Sequence, residues 1–396
     1  MADAMKKIPK SIWALGFVSM FMDISSEMIH SLLPVFMVSV LGTSVTLVGI
    51  MEGGADALAQ ITKIFSGTLS DYLGKRKLLT LIGYGMAAAA KPLLPLAHSI
   101  PMALAGRFID RIGKGVRDAP RDALIGDIVP PEIRGAAFGL RQSLDTIGAI
   151  LGPIIALILM EFLLGNIRAV LWLAVMPALI AVVIMAVGVK EPEQKREGSA
   201  RPPFHFRDIK LIGSSYWQLI AIAGMLSMAR FSEAFLILKA QAIGLPVALA
   251  PMVLVIMNIV YALTAYPVGH ISDRMDRKSM LLIGGAFLIA ADIVLGFASE
   301  VWMLAAGVAL WGLHLGFSQG LLAAMVADTA PAHMRGTAYG VYNFTCGMAL
   351  LAASVIAGRL WDTVGPAAAF FTGAIFMLVA MAGLLFIRGK GEKRAG

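Results

Sequence analysis

The chain has 396 residues, of which 58% are hydrophobic and only 15% are charged, and it contains 24 methionines and 41 glycines. This composition lies far outside the range of soluble globular proteins and predicts a membrane protein with many spans. The formal net charge of +8 does not indicate a nucleic-acid partner, because the basic residues stand in short breaks between apolar runs.

Twelve apolar runs are long enough to cross a bilayer as helices, so we predict an all-α polytopic fold. They cover approximately residues 11–40, 46–66, 78–97, 101–123, 137–164, 167–189, 216–243, 247–269, 279–298, 301–327, 337–359 and 366–387. Basic residues crowd both chain ends and every even-numbered loop, whereas odd-numbered loops such as LGTSV and LAHSI carry almost none. This asymmetry predicts a multi-pass protein of the cell (inner) membrane with both termini in the cytoplasm.

The first two spans carry acidic residues on one helical face. Asp23, Glu27 and His30 follow one another at i, i+4 and i+7 in the first span, and Glu52 and Asp56 lie in the second. A rise of about 1.5 Å per residue places Asp23 and Glu27 near mid-membrane. A carboxylate in a half-dry cavity can take up and release a proton as the cavity closes, so these four acids are candidates for proton coupling. The alternative is a permanent ion pair with Arg111 or Lys114 that only fixes the packing.

The fourth span is the most polar part of the chain. On a helix, its eight charged residues fall within an arc of about 140°. Each would cost about 2.5 to 3.5 kcal/mol at the bilayer centre if it faced lipid, so they must face water or opposite charges. They are Arg107, Asp110, Arg111, Lys114, Arg117, Asp118, Arg121 and Asp122.

Five of these residues are candidates for substrate binding: Arg107, Asp110, Arg111, Lys114 and Asp118. Arg107 and Arg111 could hold a carboxylate or phosphate in a fork, and Lys114 could add a point charge. Asp110 and Asp118 lie at i, i+3 or i, i+4 from several bases, so part of the charge is expected to serve structural ion pairs. In the seventh span, Arg230 and Glu233 are further candidates for substrate contact.

The sequence contains an internal repeat with a period of about 200 residues. GDIVPPEIRGAAFG, which ends at Gly139, matches ADTAPAHMRGTAYG, which ends at Gly340, and GTLSDYLGKRK matches GHISDRMDRK. A hydrophilic break separates the two copies. We therefore predict six-helix halves at 1–189 and 212–396, joined by a cytoplasmic linker at 190–211, with a substrate site between parallel halves near mid-bilayer.

The loop motif after the second span resembles the signature of the major facilitator superfamily, G-x-x-x-D-[RK]-x-G-[RK]-[RK]. The first copy matches at Gly67, Asp71, Gly74, Lys75 and Arg76, with Tyr72 in place of a base, and the second keeps Asp273 and Arg277, with Asp276 in place of Gly. The resemblance covers the whole chain. It implies a secondary transporter that works by alternating access, with these motif residues acting in gating.

The fifth span is similar to the motif of the superfamily's antiporters, G-x8-G-x3-G-P-x2-G-G. Gly139, Gly148, Gly152 and Pro153 match, whereas Ala156 and Leu157 replace the last glycine pair. Small residues at this spacing allow close packing on a neighbouring helix. The match favours export over uptake.

The leading hypothesis is a proton-coupled antiporter that exports a small polar or anionic compound. It needs no cofactor, acts on a solute and protons within the lipid bilayer, and works as a monomer. A divalent-metal or metal-chelate exporter using Asp23, Glu27 and His30 is an alternative, because carboxylates and imidazole suit such ions. A non-coupled membrane sensor or a lipid transporter is another. No nucleotide loop, nucleophile constellation or zinc motif indicates an enzyme.

Overall fold

The twelve predicted spans are present as helices in the computed structural model, which describes residues 8–191, 213–272, 276–318, 321–330 and 335–386. Most of the predicted linker, and Asp273 of the second loop motif, lie outside these ranges. The helices of the first half are α1 (Lys10–Val35, continuing as a π-helical turn, Phe36–Val40), α2 (Val45–Leu73), α3 (Arg76–Ala90, continuing as a 3-10 turn, Lys91–Leu93), α4 (Ile100–Ile128), α5 (Pro131–Phe162), and α6 in two parts, α6a (Ile167–Leu173) and α6b (Val175–Gly188).

The second half repeats this pattern, with α7 interrupted and α10 described in two parts on either side of residues 319–320. Its elements are α7a (Ser214–Ala229) and α7b (Ala234–Ala242), α8 (Met252–Ser272, preceded by a 3-10 turn, Val247–Leu249), α9 (Arg277–Phe297), α10a (Val301–Ser318) and α10b (Leu321–Thr329), α11 (Arg335–Thr363) and α12 (Pro366–Phe386). The seventh span, which the sequence predicts as one continuous helix, is broken between Ala229 and Ala234.

Hydropathy separates three helices from the rest. Within the described ranges, nine helices are long and apolar enough to cross a membrane, and α2, α3 and α4 are not among them. The polar character of α4 has a structural counterpart, because Arg107, Asp110, Arg111 and Arg117 are all buried in the protein. A helix whose charges are buried in protein need not be apolar on every side, so its low hydropathy is compatible with a transmembrane position.

The chain forms two compact units. Among the described residues, unit 1 comprises 8–44, 54–191 and 234–258, and unit 2 comprises 45–53, 213–233 and 259–386. Most of α2 therefore belongs to unit 1, but its first nine residues belong to unit 2. The break in α7 coincides with a boundary, because α7a is part of unit 2 and α7b is part of unit 1.

In unit 1, α5 approaches α1 closely at two glycines. A methyl group on Gly148 would lie 2.6 Å from the Met20 carbonyl oxygen, and one on Gly152 would lie 2.7 Å from the Glu27 Cβ and 2.8 Å from the Ile24 carbonyl oxygen. Real Cβ contacts are essentially never this short, and the carbonyl oxygens belong to backbone that cannot move away as a side chain can. The two glycines therefore allow α5 to lie directly against the acidic stretch of α1.

In unit 2, the C-terminal end of α11 packs on the first turn of α2. The Asp362 carboxylate accepts hydrogen bonds from the Val45 and Thr46 backbone N–H groups at 3.1 and 2.8 Å, and from the Thr46 hydroxyl. A methyl group on Gly358 would lie 2.7 Å from the Thr46 Cα, so these two backbones are in close contact. A carboxylate at a helix N-terminus satisfies N–H groups that lack helical partners and favours the helix dipole.

The glycine contacts on α5 lead to a test of packing. Gly152→Ala is expected to lower the free energy of unfolding by about 1 to 3 kcal/mol, because the added methyl group meets the α1 backbone. The matched control is Gly139→Ala on the same helix, where nothing lies within 4 Å of the added Cβ. The control should be neutral, or more stable by up to about 1 kcal/mol, because alanine favours helix more than glycine does. Thermal unfolding of the purified variants in detergent measures both, and equal stability of the two would contradict the packing argument.

Candidate functional site

The acidic face of α1 holds one paired and one unpaired carboxylate. The Glu27 Oε2 atom lies 3.6 Å from the His30 Nδ1 atom. Asp23 is half-buried and, among the described residues, has no hydrogen-bond or ion-pair partner. The charges that act on it over a longer distance include those of Asp145 and Lys114. Asp23 is therefore a carboxylate that lies in a charged environment without a fixed contact.

A lysine that the sequence analysis passed over neutralises one of the α4 acids. Lys91, at the end of α3, is 1% exposed, and its Nζ atom lies 3.5 Å from the Asp110 Oδ1 atom. The ammonium also donates a hydrogen bond to the Ser26 hydroxyl of α1 at 3.1 Å. Asp110, predicted to bind substrate, is thus part of a buried contact that joins α3, α4 and α1. A charged residue in an apolar span was the available sequence signal for Lys91.

Two arginines of α4 make structural contacts around Tyr84 of α3. The Arg117 guanidinium carbon lies 4.6 Å from the centroid of the Tyr84 ring, a cation–π arrangement. Arg121 donates hydrogen bonds to the hydroxyls of Ser19 at 3.3 Å and Tyr84 at 3.5 Å. Both arginines approach Asp118, at 3.9 and 3.6 Å. Asp118 was also a predicted substrate contact, and the structure places it between these two bases.

A second group of pairs links α4 to α5. The Arg141 guanidinium lies 2.8 Å from the Asp145 carboxylate, one helical turn further along α5, and 4.0 Å from that of Asp122. Asp122 also lies 3.2 Å from Arg121. The acids of this region therefore have bases beside them, and the contacts connect neighbouring helices of unit 1.

The remaining bases of unit 1 differ from one another. Arg107 is 1% exposed, and the Arg111 Nε atom lies 3.9 Å from the Asp56 Oδ1 atom of α2. The side chains of Lys114 on α4 and Lys63 on α2 are half-buried and have no ion pair or hydrogen bond with any described residue. Their backbones are close, because a methyl group on Gly115 would lie 3.1 Å from the Lys63 backbone nitrogen.

Three of the residues predicted for substrate binding or proton coupling belong to unit 2. Glu52 is buried in the first turns of α2. Arg230 and Glu233 lie in the non-helical link between α7a and α7b, and not within a continuous helix as expected. The structure thus groups Asp23, Glu27, Asp56 and the α4 charges in one unit and these three residues in the other.

The weak metal candidates do not form a cluster. Glu27 and His30 approach each other, but in the described part of the chain no group of three or more His, Cys, Asp or Glu residues has a geometry suited to a metal ion. His314, a possible fourth ligand, directs its Nδ1 atom to the Gly284 carbonyl oxygen at 2.7 Å.

Comparison with known proteins identifies the family of this chain. The family model described as the Major Facilitator Superfamily matches residues 15–256 and 220–395, which together span nearly the whole sequence. The chain belongs to the major facilitator superfamily. It is therefore a multi-pass membrane protein of the secondary-transporter type, as the loop motif predicted.

The relatives of the chain match most of its length. An uncharacterized MFS-type transporter of Methanocaldococcus jannaschii is 31% identical over 395 residues, covering 96% of each protein. The inner membrane transport protein YajR of Escherichia coli is 25% identical over 394 residues, covering 93% of this chain and 81% of YajR. Among solved structures, a mutant of the nucleoside transporter NupG has a TM-score of 0.81 at 12% identity, covering 94% of this chain and 98% of that one. This likeness confirms the fold.

The superfamily's loop motif forms an ion-pair network at one end of unit 1. Arg76, at the start of α3, lies 3.3 Å from Asp71 near the end of α2 and 2.7 Å from Asp127 at the end of α4. Gly74 has a φ of +62°, a left-handed conformation that glycine adopts without steric cost. Lys75 is the residue just before α3, and a methyl group on Gly67 would lie 3.4 Å from the Ala119 Cβ.

The second copy of the motif makes the corresponding contact in unit 2. Arg277, at the start of α9, forms an ion pair with Asp328 near the end of α10b. Asp276, which replaces the usual glycine, caps α9 by accepting a hydrogen bond from the Ser279 N–H at 3.4 Å. Both copies therefore connect the start of one helix to the end of another through an arginine.

The buried contact of Lys91 leads to a stability test. Lys91→Met is expected to lower the free energy of unfolding by about 3 kcal/mol, because it leaves the Asp110 carboxylate without its ammonium in a buried position. The double variant Lys91→Met/Asp110→Leu should recover much of this loss, since an apolar pair replaces both charges. Thermal unfolding of both variants in detergent is the measurement, with Lys10→Met at an exposed lysine as the control. A Lys91→Met variant as stable as the control would show that the pair contributes nothing.

Proposed function

We propose that this chain is a proton-coupled antiporter that exports a small anionic compound by alternating access. One observation carries the proposal. Among the ionisable groups on the polar faces of α1, α2 and α4, Asp23, Lys63 and Lys114 have no partner in the described structure, whereas most of their neighbours are held in ion pairs. Groups whose charge is already matched are structural, and the unmatched groups are available to bind protons and solute.

Asp23 fits the role of proton carrier. It is half-buried, and its Cβ lies 3.1 Å from the methyl position of Gly148, so α5 covers it on one side. Because no donor or base is in contact with the Asp23 carboxylate, no hydrogen bond or ion pair is lost when it takes up a proton. The charges of Lys114 and Asp145 act on it in opposite directions, so a movement of α4 or α5 relative to α1 changes its affinity for a proton.

Lys63 and Lys114 fit the role of an anion-binding pair. The two lysines lie on adjacent stretches of α2 and α4, and no carboxylate makes an ion pair with either of them in the described structure. A carboxylate or phosphate that bound both ammonium groups would gain charge-assisted hydrogen bonds. Lys114 was a predicted substrate contact, whereas Lys63 was not predicted to have this role.

The proposal also assigns roles to the other predicted site residues, for which the structure gives less direct support. Arg107, Arg111, Arg230 and Glu233 provide further polar groups for the solute, and Glu27, Glu52 and Asp56 provide further acids for proton transfer. Arg230 has no ion pair among the described residues. Asp110 and Asp118 act by holding bases in position rather than by touching the solute, because each is in contact with a base.

Gating in this proposal uses contacts at the ends of helices. The Arg76 network and the Arg277–Asp328 pair form in one state and break in the other, together with the Asp362 cap on α2. The moving bodies are the six-helix halves 1–189 and 212–396, joined through the linker 190–211. The protein works as a monomer in the cell (inner) membrane with both termini in the cytoplasm.

Export rather than uptake is favoured by the packing of α5 on α1. Gly148 and Gly152, which match the antiporter motif, are the residues that make the close approach at Asp23 and Glu27. A metal substrate draws support only from the approach of Glu27 to His30. A lipid path is disfavoured because the interior of unit 1 carries so many ionised groups.

The role of Asp23 is tested by removing its charge. Asp23→Asn in proteoliposomes is expected to abolish solute movement driven by a pH gradient, because the amide cannot take up or release a proton. Exchange of labelled for unlabelled solute at equal pH should continue. The control is Glu161→Gln, at an exposed acid near the end of α5. Gradient-driven transport that persists in Asp23→Asn would contradict the coupling role.

The role of the two lysines is tested by the affinity for anions. Lys63→Gln and Lys114→Gln are each expected to weaken binding of a transported anion by about tenfold or more, since a hydrogen bond to a charged group contributes about 1.5 to 3 kcal/mol. A panel of small carboxylates and phosphates is offered in competition with a labelled anion, with Lys10→Gln as the control. Unchanged affinity in both lysine variants would remove the anion-binding argument.

A further inference from the structure

A further acid is buried in unit 2. Asp292 lies on α9 with 0% of its surface exposed, and neither carboxylate oxygen has a hydrogen-bond partner among the described residues. Buried ionised carboxylates are normally paired, because burying an unpaired charge costs far more than burying a neutral polar group. The proposed antiport mechanism makes no use of this residue.

The groups around Asp292 are a backbone carbonyl oxygen, which is a hydrogen-bond acceptor, and an aromatic ring. A methyl group on Gly373 of α12 would lie 2.7 Å from the Asp292 Oδ2 atom, 2.9 Å from the Phe231 Cε1 atom and 3.2 Å from the Ala229 carbonyl oxygen. These three atoms therefore surround the same point on α12. The Phe231 ring packs in turn on Trp311 and Phe370, with ring centroids 5.4 and 5.5 Å away.

The Ala229 carbonyl belongs to the end of a broken helix. α7a ends at Ala229, the backbone turns out of helical geometry at Arg230, and α7b begins at Ala234. The last carbonyls of a helix lack helical donors and carry a partial negative charge. An ionised Asp292 would therefore lie close to a second negative group with no donor between them. The interruption of a membrane helix beside a buried acid is typical of cation or proton sites in transporters.

None of the described charged or titratable groups on the elements around Asp292 forms an ion pair or hydrogen bond with its carboxylate. α12 has no ionisable residue between Pro366 and Phe386. His314 of α10a binds the Gly284 carbonyl, which is about 12 Å from Asp292 along α9. Arg230 and Glu233 belong to the link, and neither makes a hydrogen bond or ion pair with Asp292. Within the described residues, the missing component of this site is thus a positive charge.

We propose that Asp292 is a second proton-binding site, which holds a proton against the end of α7a and exchanges it with water when the link between Ala229 and Ala234 moves. A proton fits better than a metal ion, because two carboxylate oxygens and one carbonyl are far fewer ligands than cations of the calcium type require. The link connects unit 2 to unit 1, so movement of either unit acts on its backbone. The proposal goes beyond the antiport mechanism and does not depend on Asp23.

Infrared spectroscopy of the purified protein tests the proposal without any solute or gradient. At about pH 7 the wild type should show the C=O band of a protonated carboxylic acid, and Asp292→Asn should lose it. The matched control, Asp276→Asn, replaces the exposed acid that caps α9 and should keep the band. The band should disappear reversibly as the pH is raised while the protein stays folded.

Three outcomes would overturn the proposal. They are the absence of an acid band that depends on Asp292, a band that never titrates in folded protein, and loss of the band on adding sodium at constant pH, which would indicate a metal-ion site. Should Asp292→Asn not fold, Phe231→Leu provides a second measurement. It removes an aromatic ring beside the carboxylate and should speed hydrogen–deuterium exchange of the acid proton severalfold, whereas a sealed structural acid would exchange at the wild-type rate.

Discussion

Hydrocarbon cannot dissolve ionised side chains, and this constraint governs the arrangement of unit 1. α4 carries nine charged residues, eight of them between Arg107 and Asp122, and most of these eight are in contact with groups on neighbouring helices. Lys91 reaches Asp110 from α3, and Arg141 reaches Asp122 from α5. Because each contact joins two helices, the charges that forbid exposure to lipid also hold the bundle together. The charged residues of α4 are thus turned towards neighbouring helices of unit 1.

In the proposed mechanism, pairing separates structural charges from functional ones. Asp118 lies beside two bases, so a change in its ionisation would leave charges unmatched. Asp23 and the two lysines Lys63 and Lys114 lie among such pairs but outside them. The same reasoning applied to unit 2 singles out Asp292, which differs from Asp23 in being fully buried. The candidates for function are therefore the charged residues that remain after those in ion pairs have been excluded.

Much of the fold could be predicted from the sequence, because spans, loop charges and the repeat are local or periodic signals. The contacts between helices could not. The i, i+4 pair of Arg141 and Asp145 follows from helical spacing, whereas the pairing of Lys91 with Asp110 depends on how α3 packs against α4. The break in α7 was missed for a related reason. The segment from Ala229 to Ala234 contains no proline or glycine, and its helical pattern is overridden by tertiary contacts such as the hydrogen bond from the Ser232 N–H to the Ser354 hydroxyl.

The location of the ion pairs bears on which contacts a transport cycle can break. Removing one partner of a buried pair costs several kcal/mol, so contacts such as that of Lys91 with Asp110 are expected to persist in every state. Exposed pairs contribute about 0 to 1 kcal/mol each, because water can replace the partner. The Arg277–Asp328 pair is exposed, as is the cap that Asp362 forms on Thr46. The buried pairs of unit 1 are therefore expected to be permanent, whereas the exposed contacts at helix ends can break at low cost, as the proposed cycle requires of its gating contacts.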